Sequence, residues 1–205
     1  MSPVDPVTLQ VLIGGLRSVC DEMGAVLIRS AHSPNIKERR DCSAALFDAD
    51  GELVMQAEHI PVHLGSMPDA VAAVLGEAHE PGVSWVLNDP FAGGTHLPDI
   101  TLIAPVFGKD GLLGFVANRA HHADVGGPVP ASMPADSTTL ADEGIVIPPT
   151  AVATVPELEV VAAGMRNPAQ RRADLRAQWA ANEVGNGRLL ELAGRDGEAA
   201  LRSGM

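Results

Sequence analysis

Apolar positions along the chain fall into blocks of different period. Val7, Val11, Leu12, Leu16, Val19, Met23, Val26 and Leu27 recur at helical spacing behind Asp5-Pro6, a pair suited to the N-cap and first helical positions. The spacing predicts a helix over 5–30 with a broad stripe that packs into a core or against a partner. Gly14-Gly15 in its middle weakens the helix and permits close approach of another element. Ser43 to Phe47 and Glu52 to Gln56 flank Asp48-Ala49-Asp50-Gly51, a hairpin signal. Ser66 is placed to cap a helix running to about His79, with Val71, Val74 and Leu75 inward and Glu80-Pro81-Gly82 as its stop. Trp85-Val86-Leu87 reads as a short strand. Two apolar runs, Ile100 to Phe107 and Leu112 to Ala117, flank Lys109-Asp110-Gly111 and predict a second hairpin. Residues 125–157, rich in Pro, Gly and Ala, read as a long ordered loop crossing a surface, a lid or part of a site wall. The stripe Leu175, Trp179, Asn182, Gly185 and Leu189 predicts a last helix over 168–200, with Ala180, Ala181 and Gly185 suited to tight packing. Its apolar stripe has no compact unit after it, which suggests a fragment or a subunit completed by another chain. The pattern as a whole is α+β: antiparallel β-hairpins packed against flanking helices, in one domain over 1–205.

Composition narrows the class. A hydrophobic content of 46% over 205 residues supports a proper core, and 20% charged residues argues against wholesale disorder. With 3% aromatics and no Tyr, that core is built largely from Ala, Val, Leu and Ile. A net charge of −12, with Lys37 and Lys109 the only lysines, disfavours nucleic acid or an anionic membrane as partner. Cys20 and Cys42 form no CxxC pair and read as reduced, partly buried thiols of a cytoplasmic protein. The start MSPVDPVTLQ is not a signal peptide, and no apolar run approaches membrane-spanning length.

The candidate chemistry gathers around the second hairpin. His96 and Asp99 precede its first run; His121, His122 and Asp124 follow its second. Asp99 and His121 are equidistant from Asp110, so simple register brings the two clusters together at the open end. Two imidazoles and a carboxylate there could hold a divalent cation such as Zn²⁺ and leave a position for water or substrate. The loop Phe91-Ala92-Gly93-Gly94-Thr95 has the small residues that let backbone approach a ligand. It is no phosphate loop, since neither GxxxxGK[ST] nor a strand-linked GxGxxG occurs. A dense polar run (His32, Asn35, Lys37, Glu38, Arg39, Arg40, Asp41) and the later Glu58, His59 and His63 read either as solvated loops or as sources of an acid, a base or a further ligand.

Four stretches carry a family resemblance: HSPNIKERRDCSAALFDADGELVMQAEHIPVHLGSMP (32–68), NDPFAGGTHLPDITLIAPVF (88–107), NRAHHADVGG (118–127) and RNPAQRRADLRAQWAANEVGNGRL (166–189). Together they resemble the N-terminal part of the hydantoinase B/oxoprolinase family. That family includes the B subunit of ATP-dependent N-methylhydantoinase, the corresponding region of 5-oxoprolinase, the caprolactamase catalytic subunit, and the α subunits of acetone and acetophenone carboxylases. The resemblance implies a metal-site region over 32–127 with ligands at Asp41, His96, Asp99 and His121. The mixed carboxylate–imidazole set suits Zn, and also Mn or Fe. His122 and Asp124 become proton-transfer or substrate-facing candidates, and Glu38 a general base or a partner of Arg39.

The implied chemistry is hydrolysis of a small cyclic amide (hydantoin, 5-oxoproline or a lactam) activated by ATP, in a hetero-oligomer. An A-type subunit uses the ATP, and this B-type part binds metal and completes hydrolysis. Two other functions fit the resemblance: part of an ATP-dependent ketone carboxylase, or a non-catalytic remnant that docks on an A-type subunit. The chain departs from the family pattern at Ala131 and Ala173, where Gly is favoured, and between Pro149 and Arg166, where it is short.

Overall fold

The computed structural model describes residues 5–58, 63 and 65–205, and for Glu58 the backbone alone. His59 therefore lies outside the described residues.

Helix α1 (Pro6–Ser30) starts as expected, because the Asp5 carboxylate accepts the backbone N–H groups of Val7 and Thr8 at 3.1 Å each. Its buried stripe begins at Leu12 and runs through Leu16, Val19, Cys20, Met23 and Leu27, while Val7 and Val11 face outward. A short α2 (Pro34–Lys37) follows and leads into the sheet. Among the described residues six strands, β1 (Cys42–Asp48), β2 (Leu53–Glu58), β3 (Ser84–Leu87), β4 (Asp99–Gly108), β5 (Gly111–His121) and β6 (Thr150–Val152), form one sheet in the order β2-β1-β5-β4-β3-β6. Every pairing is antiparallel.

Both faces of the sheet are covered. Ala44, Leu46, Ala104, Val106, Val116 and Ala120 meet α1 and the last long helix on one face. Ala45, Phe47, Trp85, Ile103, Phe115 and Ala117 meet helix α3 (Met67–Leu75) on the other. Two covered faces explain why β4 and β5 read as continuous apolar runs rather than alternating ones.

The central register has a particular cause. Gly108 pairs with Gly111 and Phe107 with Leu112 around a Lys109-Asp110 tip. Continued unchanged, that register sets Asp99 opposite Ala120. The register shifts between Val106 and Phe107, leaving Leu113 as an extra residue, and Val106 then pairs with Gly114. The shift carries through to Asp99↔His121. The expected pairing is therefore correct, and a β-bulge produces it.

Several expectations change. Helix α3 ends at Leu75 with Gly76 at its C-cap, short of His79. The His79 ring instead packs edge-on against Phe115 with centroids 5.0 Å apart. Ser66 stands at the N-cap of α3 as expected, but its side chain makes no capping bond; its hydroxyl donates to the His63 carbonyl and accepts from Arg119. The 125–157 stretch is not all loop, since it contains β6 and the start of α4 (Val155–Val160). The last helix is two: α5 (Pro168–Asp196) and α6 (Glu198–Gly204), broken at Gly197 with φ of 90°.

Close packing of α1 on α5 uses Gly15, where a Cβ would lie 2.9 Å from Leu192, and Gly185, where it would overlap Met23 Sδ. Gly14 has open space around it and plays no such part. Among the described residues no helix is long and apolar enough to cross a membrane.

Helix α5 also buries a polar stripe. Gln178 Nε2 donates to the Ile100 carbonyl at 2.8 Å and to Asn118 Oδ1 at 2.9 Å. Asn118 Nδ2 donates to Asn182 Oδ1 at 2.8 Å, and Asn182 Nδ2 donates to the Leu102 carbonyl at 3.1 Å. All three amides are buried, so each bond replaces water that cannot reach it. Gln178→Leu keeps the volume but strands several of these partners. Urea unfolding is expected to show a loss of roughly 2–3 kcal/mol. A loss under about 0.5 kcal/mol, the usual scale of surface changes, would mean the stripe does not hold α5 on the sheet.

Candidate metal centre

Asp41, His121 and Asp99 form a row across three strands at one end of the sheet. Asp99 opens β4 and pairs with His121, the last residue of β5. Asp41 stands just before β1, and its carbonyl accepts the His121 N–H at 3.0 Å. Side chains of a strand alternate between faces, so these three and the next row inward (Ser43, Arg119, Thr101) all point to the α3 face. Neighbouring strands lie about 4.8 Å apart, which sets a carboxylate on each side of the His121 imidazole. Its Nδ1 is 3.2 Å from Asp99 Oδ1 and 3.8 Å from Asp41 Oδ2.

Local backbone aims each member. Arg40 adopts φ of 56°, uncommon for a side chain of its size, and turns the chain from α2 into β1. The Asp41 N–H donates to the Asn35 carbonyl at 2.9 Å, which fixes that turn. The turn closed by the Asp99 N–H on the His96 carbonyl brings His96 back over the row. His96 Nε2 then lies 3.1 Å from His121 Nδ1 and 3.5 Å from Asp99 Oδ1. Ligand atoms of His96, Asp99 and His121 all fall within 4.8 Å of one another. Thr95 donates its hydroxyl to Asp99 Oδ2 at 2.7 Å.

The loop glycines serve packing. A Cβ on Gly93 would sit 2.5 Å from the Asp69 carbonyl oxygen, and one on Gly94 2.5 Å from that of Asn88. They let the loop approach protein backbone, not a ligand. Arg119, fully buried, ties this region together by donating to Thr101 Oγ1, Ser66 Oγ and the Gly93 carbonyl.

His63, which the sequence leaves as either a solvated-loop residue or a source of an acid, a base or a further ligand, joins the cluster. It is 1% exposed, and its Nε2 lies 3.6 Å from both Asp41 Oδ1 and Asp99 Oδ2. Its Nδ1 is 3.0 Å from Ser43 Oγ. The strand pairing explains its arrival: the register Ser43↔Glu58 returns the end of β2 to the Asp41 end of β1, shortly before His63.

The three proton-transfer candidates stand apart from the cluster. Glu38 is exposed at the end of α2 and, among the described residues, forms no ion pair with Arg39. His122 points to the opposite face, fully buried, and donates from Nε2 to Gln178 Oε1 at 2.9 Å. Burial pushes its imidazole down to about 4, the nearby Asp174 only partly opposing. Asp124 holds a loop: its oxygens accept from Gly126 N, Ala131 N, Ser132 Oγ and Arg166 Nε at 2.8–3.1 Å. Burial works against its charge, but these donors outweigh burial and keep the carboxyl below the usual range.

The donor set fits a divalent cation. Burial opposes ionisation of Asp99, yet hydrogen bonding to His121, the neighbouring His63 and His96 imidazoles and the Thr95 hydroxyl hold it far below the ordinary carboxylate range. Burial lowers His96, which favours the neutral imidazole that a cation binds. Asp41 Oδ1 and His63 Nε2 are buried without a hydrogen-bond partner, and among the described residues no Lys or Arg ion pair reaches either carboxylate. Buried carboxylates without a cationic partner at hydrogen-bond range are what a bound cation satisfies.

The family model Hydantoinase B/oxoprolinase matches residues 5–205. The 5-oxoprolinase of Dictyostelium discoideum is 40% identical over 198 residues, which is 89% of this chain and 15% of its own length. The crystal structure of an ATP-dependent caprolactamase from Pseudomonas jessenii superposes with a TM-score of 0.87 at 34% identity, over 97% of this chain and 36% of its own. A nucleotide-free acetone carboxylase shares the fold, with a TM-score of 0.89 at 21% identity over 98% of this chain and 28% of its own. The chain thus spans 15% to 36% of the length of these relatives.

Two measurements check this account of the flanking residues. The folded pKa of His122 lies below its unfolded value near 6.5, so its stabilisation is complete above that value and fades as pH falls toward about 4. Between pH 7 and 5 the wild type is expected to lose roughly 2 kcal/mol more than His122→Asn in chemical unfolding. Equal slopes would mean that His122 is not buried neutral. Ala131 adopts φ of 74°, where glycine is at ease. Ala131→Gly should therefore raise stability by roughly 0.5–1 kcal/mol, read as an increase in Tm. A lower Tm would contradict the strain.

Proposed function

The chain belongs to the hydantoinase B/oxoprolinase family, and from that membership we propose that it is the metal-binding part of an ATP-dependent cyclic-amide hydrolase. Its substrate class is a hydantoin, 5-oxoproline or a lactam, and its partner an A-type subunit or domain that uses the ATP. The row of Asp41, His121 and Asp99 with His96 beside it carries this reading, because a hydrolytic centre needs such a donor set and the family match covers it.

Amides are poor electrophiles. Transfer of phosphate from ATP to the amide oxygen, on the partner, makes the carbonyl carbon a target for water. Asp41, His96, Asp99 and His121 would hold a divalent cation, Zn or alternatively Mn or Fe. Such a cation, when bound, polarises a substrate oxygen and makes water a competent nucleophile near neutral pH.

The chain's own residues set the approach. Asp99, 1% exposed, is the fixed negative anchor at the back, held by Thr95. The His96 side chain, 41% exposed, marks the open side by which a ring amide arrives. Glu38, exposed and three residues before Asp41, is the remaining candidate to accept a proton.

Refilled with Zn²⁺ or Mn²⁺, the chain is expected to carry near-stoichiometric metal by mass spectrometry, and the His96→Ala/His121→Ala double variant to lose it. With an A-type subunit, ATP and a panel of hydantoins, 5-oxoproline and lactams, amide opening should fall roughly a thousandfold in the double variant. Full metal content in that variant, or full turnover without metal, would sink the reading.

A further inference from the structure

His63 has no part in the proposed ligand set, yet it is buried between both carboxylates of that set. The choice of oxygen atoms is informative. His121 Nδ1 and His96 Nε2 face Asp99 Oδ1, and Asp41 meets His121 through Oδ2. His63 Nε2 faces the other oxygen of each: Asp41 Oδ1 and Asp99 Oδ2, at 3.6 Å in both cases. His63 therefore lies behind the two carboxylates, on the side away from the His96–His121 pair.

The tautomer follows from satisfaction of the buried groups. Ser43 is buried, and the only hydrogen-bond partner of its hydroxyl among the described residues is His63 Nδ1 at 3.0 Å. If Nδ1 carried the proton, the Ser43 O–H would have no acceptor. The Nε2 lone pair would then face two carboxylates with nothing between them. If Ser43 donates to Nδ1, every group has a use: the proton sits on Nε2 and points between Asp41 and Asp99. Unpaired buried donors and like-sign contacts both cost free energy, so the second arrangement prevails.

We infer that His63 is a positioning residue for the metal centre: its Nε2–H, oriented by Ser43, is directed between the outer oxygens of Asp41 and Asp99, 3.6 Å from each, and its attraction for them turns their inner oxygens toward one point. The inference rests on the metal-site reading above. It assigns to His63 and Ser43 the task of aligning carboxylates that arrive from different strands. The Asp41 side chain is 19% exposed, and the ring nitrogens beside it among the described residues are His63 Nε2 at 3.6 Å and His121 Nδ1 at 3.8 Å. Without His63, the imidazole left beside that carboxylate among the described residues is His121, itself in the proposed ligand set.

The test is Zn²⁺ affinity, measured by competition with a chromophoric chelator, on wild type, His63→Ala, His63→Gln, Ser43→Ala and His121→Ala. Thermal unfolding of each metal-free protein serves as the control for folding. His63→Ala is expected to weaken binding roughly 10–100-fold, the usual effect of removing a group that orients ligands. His63→Gln should recover most of the loss, because its amide N–H reaches the same place as Nε2–H while lacking a ligand lone pair there. Ser43→Ala should weaken binding in the same direction, with its apo Tm near wild type.

Unchanged affinity in His63→Ala overturns the inference and leaves the metal site standing. A loss as complete as in His121→Ala, not rescued by Gln, makes His63 a ligand and overturns it as well. No metal uptake by the wild type defeats the metal-site reading itself and this inference with it.

Discussion

The structure depends on one register. Asp41 just before β1, His121 of β5 and Asp99 of β4 share a row only because β5 pairs with β1 and β4 as it does. A slip of one residue in any of these pairings would swing a side chain to the opposite face and dissolve the row. The extra residue at Leu113 belongs to this constraint, although it lies at the far end of the hairpin. It converts the register of a Lys109-Asp110 tip into the one that opposes Asp99 to His121. The two ends of the hairpin are mechanically one object, and the sheet that carries it is covered on both faces, which leaves little freedom for slippage.

Around that row the protein manages an electrostatic difficulty. Two carboxylates stand near each other at a largely buried position. Imidazoles surround them, Thr95 holds one oxygen, and the Arg119 guanidinium lies behind in the next row, engaged with Thr101, Ser66 and Gly93 instead of the carboxylates. Such an arrangement keeps negative charge in place without neutralising it. A carboxylate tied bidentately to an arginine would be poorly available to a cation. Here the fixed positive charge is close enough to favour ionisation and too far to occupy the oxygens.

The opposite face shows how neighbouring residues diverge. His121 and His122 are adjacent, and strand alternation sends them to different environments. His121 joins the acidic row. His122 enters the polar stripe of α5, where Gln178 Oε1 accepts a hydrogen bond from its Nε2–H and burial keeps it neutral. Asp124, just beyond, closes the loop around Ser132 and Arg166. These residues hold α5 and the following loop against the sheet end, so they support the site by fixing its surroundings.

Much was legible in the sequence, for physical reasons that are local. Asp5-Pro6 announces α1, the apolar runs around Asp110 announce the hairpin, and the symmetry of Asp99 and His121 about that turn announces their meeting, since antiparallel pairing makes sequence distance from a turn equal to distance along the sheet. Family likeness added Asp41, which no local spacing links to the hairpin. Tertiary structure alone decided the rest. The bulge that makes the register work, the end of α3 at Gly76, and the break at Gly197 depend on packing and backbone angles that no short window encodes. The roles of Gly93 and Gly94 depend on what they touch, which proved to be Asp69 and Asn88. His63 reaches the carboxylates because β2 pairs with β1, and His122 leaves them because side chains alternate. In both cases the residue type was plain from the start, and only long-range pairing could say which chemical neighbours it would have.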